Sequence, residues 1–356
     1  MTTIADQLPL AHGAPLDNRF ALAPLTNKQS HPDGTLSDDE IRWLVARAEG
    51  GFGLTMTAAA YVAPAGKAWT GQLGIHDDAM LPGLERLATE LRAAGSRSAV
   101  QLHHGGLRAD PAASGTGRVA PWAVEGTARA LSTGEVEQAV ADFVAAAVRA
   151  ERAGFDGVEV HGAHGYLVGE FLDHRHNQRT DGWGGELAAR ARFVTEVVRE
   201  IRAATGPDFQ LGLRLTPERQ GILLAEAKTV AADLMTSGWL DYLDMSLWDA
   251  FKTPYEEEHD GLLIEHFTEL PRGETRLGVA GKVLSAADAQ WCLDHGADFA
   301  LIGSGAILHH DFPRRALADP AFVACAQPVT RDHLAAERVG PAFVDYLSTG
   351  WSDWVA

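Results

Sequence analysis

The sequence is short of cysteine, short of basic residues and without any long apolar run. Only two cysteines, Cys292 and Cys325, occur in 356 residues, too few for a disulfide framework or for the four thiolates of an iron–sulfur site. Lys and Arg number 30 against 48 Asp and Glu, a formal net charge of −18. That balance argues against a nucleic-acid partner and leaves no basic cluster to hold the chain on a membrane. No apolar stretch reaches membrane-spanning length, and the first residues lack the basic-then-apolar order of a secretory leader, so the expected location is the cytoplasm. Cys292 falls in an amphipathic helical pattern and reads as a small buried residue.

What the chain does have is alternation. Short apolar runs lie near Phe20–Ala23, Phe52–Met56, Ser98–Leu102, Gly157–Val160, Phe209–Leu215, Leu240–Met245, Arg276–Val279 and Phe299–Ile302. Between them run amphipathic segments with helix-start signals. Ser37 to Glu40 and Ser132 to Glu135 both fit the capping box, in which a hydroxyl and a carboxylate satisfy free amides at a helix start. Nearly continuous apolar strands, each followed by a helix, imply a parallel sheet covered on its outer side. Eight such units predict an α/β fold, a (β/α)8 TIM barrel, with an open doubly wound sheet as the alternative. No linker divides the chain, so residues 1–356 read as one domain, with a long Gly/Pro/Ala-rich capping loop at about 103–131 above the barrel mouth.

In a barrel of this kind, residues just after each strand converge on one open face, where chemistry occurs. Those positions hold Pro24, Leu25 and Thr26 after the first strand and the small residues Thr57 to Ala60 after the second. Gln101, His103 and His104 follow the third, and His161, His164 and Tyr166 the fourth. Arg214 ends the fifth, Ser246 and Trp248 the sixth, Gly281–Lys282 follows the seventh and Gly303–Ser304 the eighth. Two glycine turns on neighbouring strands suit a phosphate held by backbone amides, with Lys282 as a nearby point charge. His161 and His164 admit three readings: a zinc site, two hydrogen-bonded packing histidines, or two imidazole donors for a substrate oxygen. Zinc needs more ligands than the strand ends supply, so no metal is expected.

The motifs then narrow the choice. APLT at 23–26, GQLGIHDD at 71–78, AVQL at 99–102, HGAHGYLVGEFL at 161–172, NQRTDGWGG at 177–185, LGLRL at 211–215 and ADFALIGSGAIL at 297–308 together resemble the old yellow enzyme family, FMN-dependent ene-reductases, over essentially the whole chain. The resemblance implies FMN across the barrel mouth and NADH or NADPH as hydride donor. It implies contacts to FMN from Pro24, Leu25, Thr26, Ala59, Gln101, His161, Arg214, Gly281, Lys282, Gly303 and Ser304. Within that set Thr26 would face the C4 carbonyl, Gln101 the pyrimidine edge, and Arg214 the N1 and C2 carbonyl region.

It further implies that His161 and His164 hold the carbonyl or nitro oxygen of an electron-poor alkene, and that Tyr166 protonates its α-carbon after hydride reaches the β-carbon. Lys28 and Trp248 are the other expected substrate contacts, with Phe251 and Tyr255 as candidate pocket aromatics. Family members dimerise or tetramerise, so a homo-oligomer is an option, and Trp351 and Trp354 are candidates for packing on a second copy or closing the barrel bottom. Ser304 stands where the family carries an arginine, and Thr26 where one branch has cysteine. The remaining alternatives are an FMN-barrel dehydrogenase or demethylase and a flavin-binding protein with little turnover.

Overall fold

The computed structural model describes residues 2–356. In chain order the strands are β1 (Phe20–Leu22), β2 (Leu54–Tyr61), β3 (Arg97–His103), β4 (Arg118–Ala120), β5 (Ala128–Ala130), β6 (Gly157–Gly162), β7 (Gln210–Leu215), β8 (Tyr242–Ser246), β9 (Arg276–Ala280) and β10 (Phe299–Ile302). The helices are α1 (Asp38–Glu49), α2 (Leu81–Ala93), α3 (Pro111–Ser114), α4 (Thr133–Arg152), α5 (Leu167–Leu172), α6 (Leu187–Ala204) and α7 (Leu224–Thr236). They continue with α8 (Glu265–Thr268), α9 (Ala286–Asp294), α10 (Ser304–Leu308), α11 (Phe312–Ala318), α12 (Arg331–Ala336) and α13 (Pro341–Gly350). None of them is long and apolar enough to cross a membrane.

Eight strands close into a barrel in the order β1-β10-β9-β8-β7-β6-β3-β2, and every pairing is parallel. Each of the eight apolar runs falls on one of these strands, because a strand covered by helices outside and side chains inside has no solvent face to make polar. β1 closes the seam directly on β10, with Phe20 opposite Ala300 and Leu22 opposite Ile302. The remaining two strands, β4 and β5, form a small separate pair within the 103–131 segment.

Two apolar layers result. Leu8, Leu16, Ala21, Leu54, Met56, Ala99, Tyr242, Phe299 and Leu301 fill the inside and lower end of the barrel. A larger cluster, including Phe143, Phe171, Phe193, Phe267 and Phe312, packs the helices on its outer surface. The lower end is shut by the N-terminal segment, where Leu8 pairs with Leu16 and Gln210, at the start of β7, donates to the Ala14 carbonyl at 2.9 Å. The strand carboxyl ends form the opposite face, and the main cavity opens there.

Two sequence expectations need amending. Ser132 forms the full capping box with Glu135, but Ser37 forms only half of one. It accepts the Glu40 amide, while the Glu40 carboxyl turns inward to Asn27 and Ser30. Glu40 is fully buried, and it ties down the loop that follows β1 and carries Thr26 and Lys28. The second strand also runs past Met56: a register shift between Met56 and Ala59 lets it continue to Tyr61. Residues 57–60 are thus strand, and the bulge turns Ala59 toward the barrel mouth.

Inside the barrel Gly212 faces the Tyr242 ring so closely that an added Cβ would sit 2.1 Å from it. Gly212→Ala must displace a fully buried aromatic, and overpacking of this kind costs about 1–3 kcal/mol. Thermal unfolding of that variant should show a lowered midpoint with the barrel fold retained by circular dichroism. An unchanged midpoint would mean that the Tyr242 layer is loosely packed.

Candidate functional site

The open face holds a cavity of ≈ 450 Å³. Its lining includes every expected cofactor contact: Pro24, Leu25, Thr26, Ala59, Gln101, His161, Arg214, Gly281, Lys282, Gly303 and Ser304. His164, Tyr166 and Trp248 line it as well. Lys28 does not; it lines an adjoining recess of ≈ 390 Å³ with Thr26, Ala68, Trp69, Arg108, Tyr166 and Tyr346. The polar set comes from neighbouring strands β3, β6 and β7, while the two glycine turns follow β9 and β10 across the barrel.

The three β6-end side chains converge as expected. The His161 ring centroid is 5.1 Å from that of His164 and 5.1 Å from that of Tyr166. His161 Nδ1 accepts the Ala163 amide at 3.2 Å, which assigns the ring proton to Nε2. His164 sits at φ +64°, held there by its own amide on Thr216 Oγ1 at 2.8 Å. Its Nε2 lies 2.8 Å from Ser246 Oγ, and Ser246 also accepts from Arg214 Nη2 at 3.4 Å. Tyr166 is the N-cap residue just before α5, so chain direction at the strand end fixes where its ring stands. Backbone strain gathers here: Lys28, His164, Trp248 and Lys282 are four of the eight non-glycine residues with positive φ among those described, and all four line the cavity or its recess.

Burial sets the charge states. It pushes His161 well below the usual imidazole range, helped by His164, His103 and Arg214, and brings His164 down to about 3, with Arg214 and Arg108 adding to the effect. Both rings are therefore neutral near pH 7, each with one N–H to donate. Burial likewise raises the Tyr166 phenol, which keeps it protonated. Below the cavity Gln101 Nε2 donates to Glu159 Oε1 at 2.7 Å, and Arg214 Nε lies 3.0 Å from Asp244 Oδ2. That pair is an ion pair by distance but is not aligned as a hydrogen bond. Burial raises both carboxyls, and the Asp244 charge raises Glu159 further, whereas Arg214 draws Asp244 back down. The guanidinium opposes the effect of burial at both carboxyls.

Several expected residues sit elsewhere. His103 turns to Gln72, 3.0 Å from its Nδ1, and His104 accepts the Gly106 amide; neither lines the cavity. Lys282 lines it, but its ammonium is paired with Asp249 at 2.9 Å. Phe251 packs on Trp291 and Tyr255 is exposed, so only Trp248 of the three aromatics after β8 reaches the site. Trp351 and Trp354 border the cavity itself, with Phe343, Tyr346 and Leu347 of α13, and so neither closes the barrel bottom. Among the described residues the two clusters with metal-ligand spacing, Glu256/Glu258/His259 and His310/Asp311/Glu337, contain neither His161 nor His164.

Several lining residues were not foreseen, among them Trp69, Tyr346 and the cation Arg108. Arg108 reaches both cavity and recess, with its guanidinium carbon 5.6 Å from the Tyr166 ring centroid. Glu170, on α5, places it by accepting the Leu107 amide at 2.7 Å. Burial pushes the Glu170 carboxyl up to about 8.

A profile of the NADH:flavin oxidoreductase / NADH oxidase family matches residues 9–316. The chain is 36% identical over 304 residues to the probable NADH-dependent flavin oxidoreductase YqiG of Bacillus subtilis (strain 168), covering 82% of this chain and 81% of that protein. It is 34% identical to the NADH:fumarate oxidoreductase of Klebsiella pneumoniae (strain 342), spanning 88% of this chain but only 36% of that longer protein. Among solved structures, morphinone reductase in complex with tetrahydroNAD superposes with a TM-score of 0.79 at 30% identity, covering 94% of each chain. The old yellow enzyme homologue from Zymomonas mobilis superposes at 0.81 with 26% identity, covering 94% of this chain and 96% of that one.

The raised Glu170 carboxyl has a measurable consequence. Between its ordinary value of 4.5 and about 8 the folded state keeps a proton that the unfolded state gives up, so stability falls as pH rises, by at most about 1.4 kcal/mol per pH unit. Glu170→Gln keeps an acceptor for Leu107 and cannot ionise. Melting temperatures taken from about pH 6 to about pH 8 should fall less steeply in the variant; parallel slopes would show that Glu170 is already ionised in the fold.

Proposed function

Because the chain belongs to the NADH:flavin oxidoreductase / NADH oxidase family, the FMN-dependent old yellow enzymes, we propose that it uses NADH or NADPH to reduce the activated C=C bond of α,β-unsaturated carbonyl or similar electron-poor compounds. The observation that carries this reading is the convergence of two neutral imidazoles and a protonated phenol on one cavity beside a fixed guanidinium.

The residues present fit FMN. Ala23, Ala59, Ala280 and Gly303 leave room along the cavity wall, Thr26, Gln101 and Arg214 offer polar groups to a ring edge, and Gly281, Gly303 and Ser304 offer backbone across the barrel. When bound, FMN supplies the hydride chemistry, taking a hydride from the nicotinamide and giving it to an acceptor. Arg214 stabilises negative charge at the ring edge it faces, a preorganised electrostatic effect. Gln101 is fixed through its amide nitrogen by Glu159, which leaves its carbonyl as the group turned to a ligand. Ser304 brings a hydroxyl and a backbone amide to the phosphate end, where the paired Lys282 adds little free charge.

His161 gives its Nε2–H to the substrate carbonyl or nitro oxygen. In this reading Ser246 accepts from Arg214 and passes its own proton toward His164 Nε2, which leaves the His164 proton on Nδ1 as the second donor. Two such bonds draw electron density toward the oxygen and make the β-carbon electrophilic. Tyr166 then transfers its phenolic proton to the α-carbon, and burial ensures that the proton is there to give. The family role of small-molecule oxidoreductase is compatible with a barrel of one domain, and with 103–131 as a capping segment that brings Arg108 to the mouth.

Rapid-mixing kinetics of the flavin-loaded protein separate these roles. Tyr166→Phe should slow alkene reduction about 10²-fold or more while flavin reduction by NADH or NADPH keeps its rate. Equal losses in both half-reactions would remove the proton-donor role. Replacing His161 and His164 together with Ala should abolish binding of simple phenols, read from the perturbed flavin absorbance; retained binding would mean that the imidazoles do not grip an oxygen.

A further inference from the structure

The charges around the mouth are uneven. The chain carries 48 acidic residues, yet among the described residues lining the cavity and its recess there is no Asp or Glu. Four cations line them instead: Arg214, Lys282, Arg108 and Lys28. Arg214 is matched by Asp244 and Lys282 by Asp249. Arg108 and Lys28 have no carboxylate partner among the described residues, and the Lys28 ammonium rests only over the Tyr346 ring at 4.6 Å.

Arg108 is also built into place. Its amide bonds the Gly105 carbonyl, the preceding amide of Leu107 is held by buried Glu170, and a Cβ on Gly106 would strike Glu170 at 2.4 Å. The backbone at this point thus has little freedom, and the guanidinium is delivered beside Tyr166 at 5.6 Å from its ring centroid. Trp69 and Tyr346 wall the recess, while the Arg108 and Lys28 side chains reach solvent, so an ion pair made there is open to screening by salt. Two cations with no ion-pair partner at the mouth of the site, on a strongly acidic protein, give that mouth a positive local field that favours an anionic ligand.

We propose that the substrate of this site carries an anion, a carboxylate a few bonds from the alkene, and that Arg108 with Lys28 grips it while the activated double bond lies at His161, His164 and Tyr166. A planar guanidinium meets a carboxylate in two parallel hydrogen bonds, so Arg108 supplies orientation as well as attraction. The assignment rests on the ene-reductase reading for the alkene end and adds to it the class of compound: unsaturated keto acids and related anionic enones rather than neutral ones. A phosphate of the nicotinamide dinucleotide shares the same chemistry, and the test distinguishes the two.

Calorimetry on the flavin-loaded protein with 4-hydroxybenzoate and its neutral methyl ester compares a phenol with and without the anion. The wild type should bind the carboxylate more tightly. Arg108→Gln should weaken 4-hydroxybenzoate roughly tenfold, as expected for loss of a charge-assisted bond, and change the ester by less than about twofold; R108K should restore part of the preference. Lys28→Gln should give a smaller loss of the same sign, and added salt should shrink both. Equal weakening of acid and ester, or no change in either, would overturn the proposal. So would an increase in the dissociation constant of NADH or NADPH in R108Q with the phenol pair unaffected, because the cation would then serve the dinucleotide. Failure of the wild type to reduce either 2-cyclohexenone or an unsaturated keto acid would count against the ene-reductase reading alone, since anion preference is measured without turnover.

Discussion

The site depends on one cation held inside a closed barrel. Arg214 is almost wholly buried, and a buried guanidinium is tolerable only when matched and hydrogen-bonded. Asp244 matches it from β8, the neighbouring strand, where the two residues stand directly opposite in register. Other features follow from that placement. Its field helps keep His161 and His164 neutral. It opposes the effect of burial on the two carboxyls beneath the cavity, Asp244 and Glu159, and Gln101 is fixed against the second of them. Ser246, between Arg214 and His164, carries the same influence to the second imidazole.

A second support lies under the mouth. Tyr166 stands just before α5 and Glu170 is one turn further on, so the helix that presents the phenol also holds the loop that presents Arg108. The phenol-bearing and guanidinium-bearing sides of the site are therefore tied to the same helix. Glu40 performs a comparable task on the opposite side, anchoring the loop that bears Thr26 and Lys28. In both cases a buried acid, bonded to a loop, fixes a residue that faces the ligand, which is how a barrel gives loop positions the constancy of strand positions.

The barrel strands could be read from the residues because burial on both faces leaves an unmistakable apolar run, and the strand-end rule then located Gln101, His161, His164, Tyr166 and Arg214 without coordinates. What stayed illegible was anything decided by side-chain partners. Ser37 carries the same signal as Ser132, but Glu40 had a buried polar loop to satisfy and left the capping box half made. Phe251 and Tyr255 carry the same aromatic signal as Trp248, and only the path of the loop after β8 tells them apart. Arg108 lies in a Gly/Pro/Ala-rich stretch and is exposed; the sequence does not tell that it borders the cavity and makes no ion pair there. Lys282 is the reverse case, a cation that reads as free and is neutralised by Asp249.

The seam between β1 and β10 bears on how the protein is made. Phe20 pairs with Ala300, contacts that are nearly the whole chain apart, and such long-range pairing is slow to form. Ala23 to Thr26 on one side of the seam and Gly303 with Ser304 on the other are both walls of the cavity. A folding chain can therefore have β3, β6 and β7 assembled, with Gln101, His161 and Arg214 already in line, and still enclose nothing. Cofactor capture then waits on ring closure, and the yellow colour of the loaded protein would report the last topological event of folding.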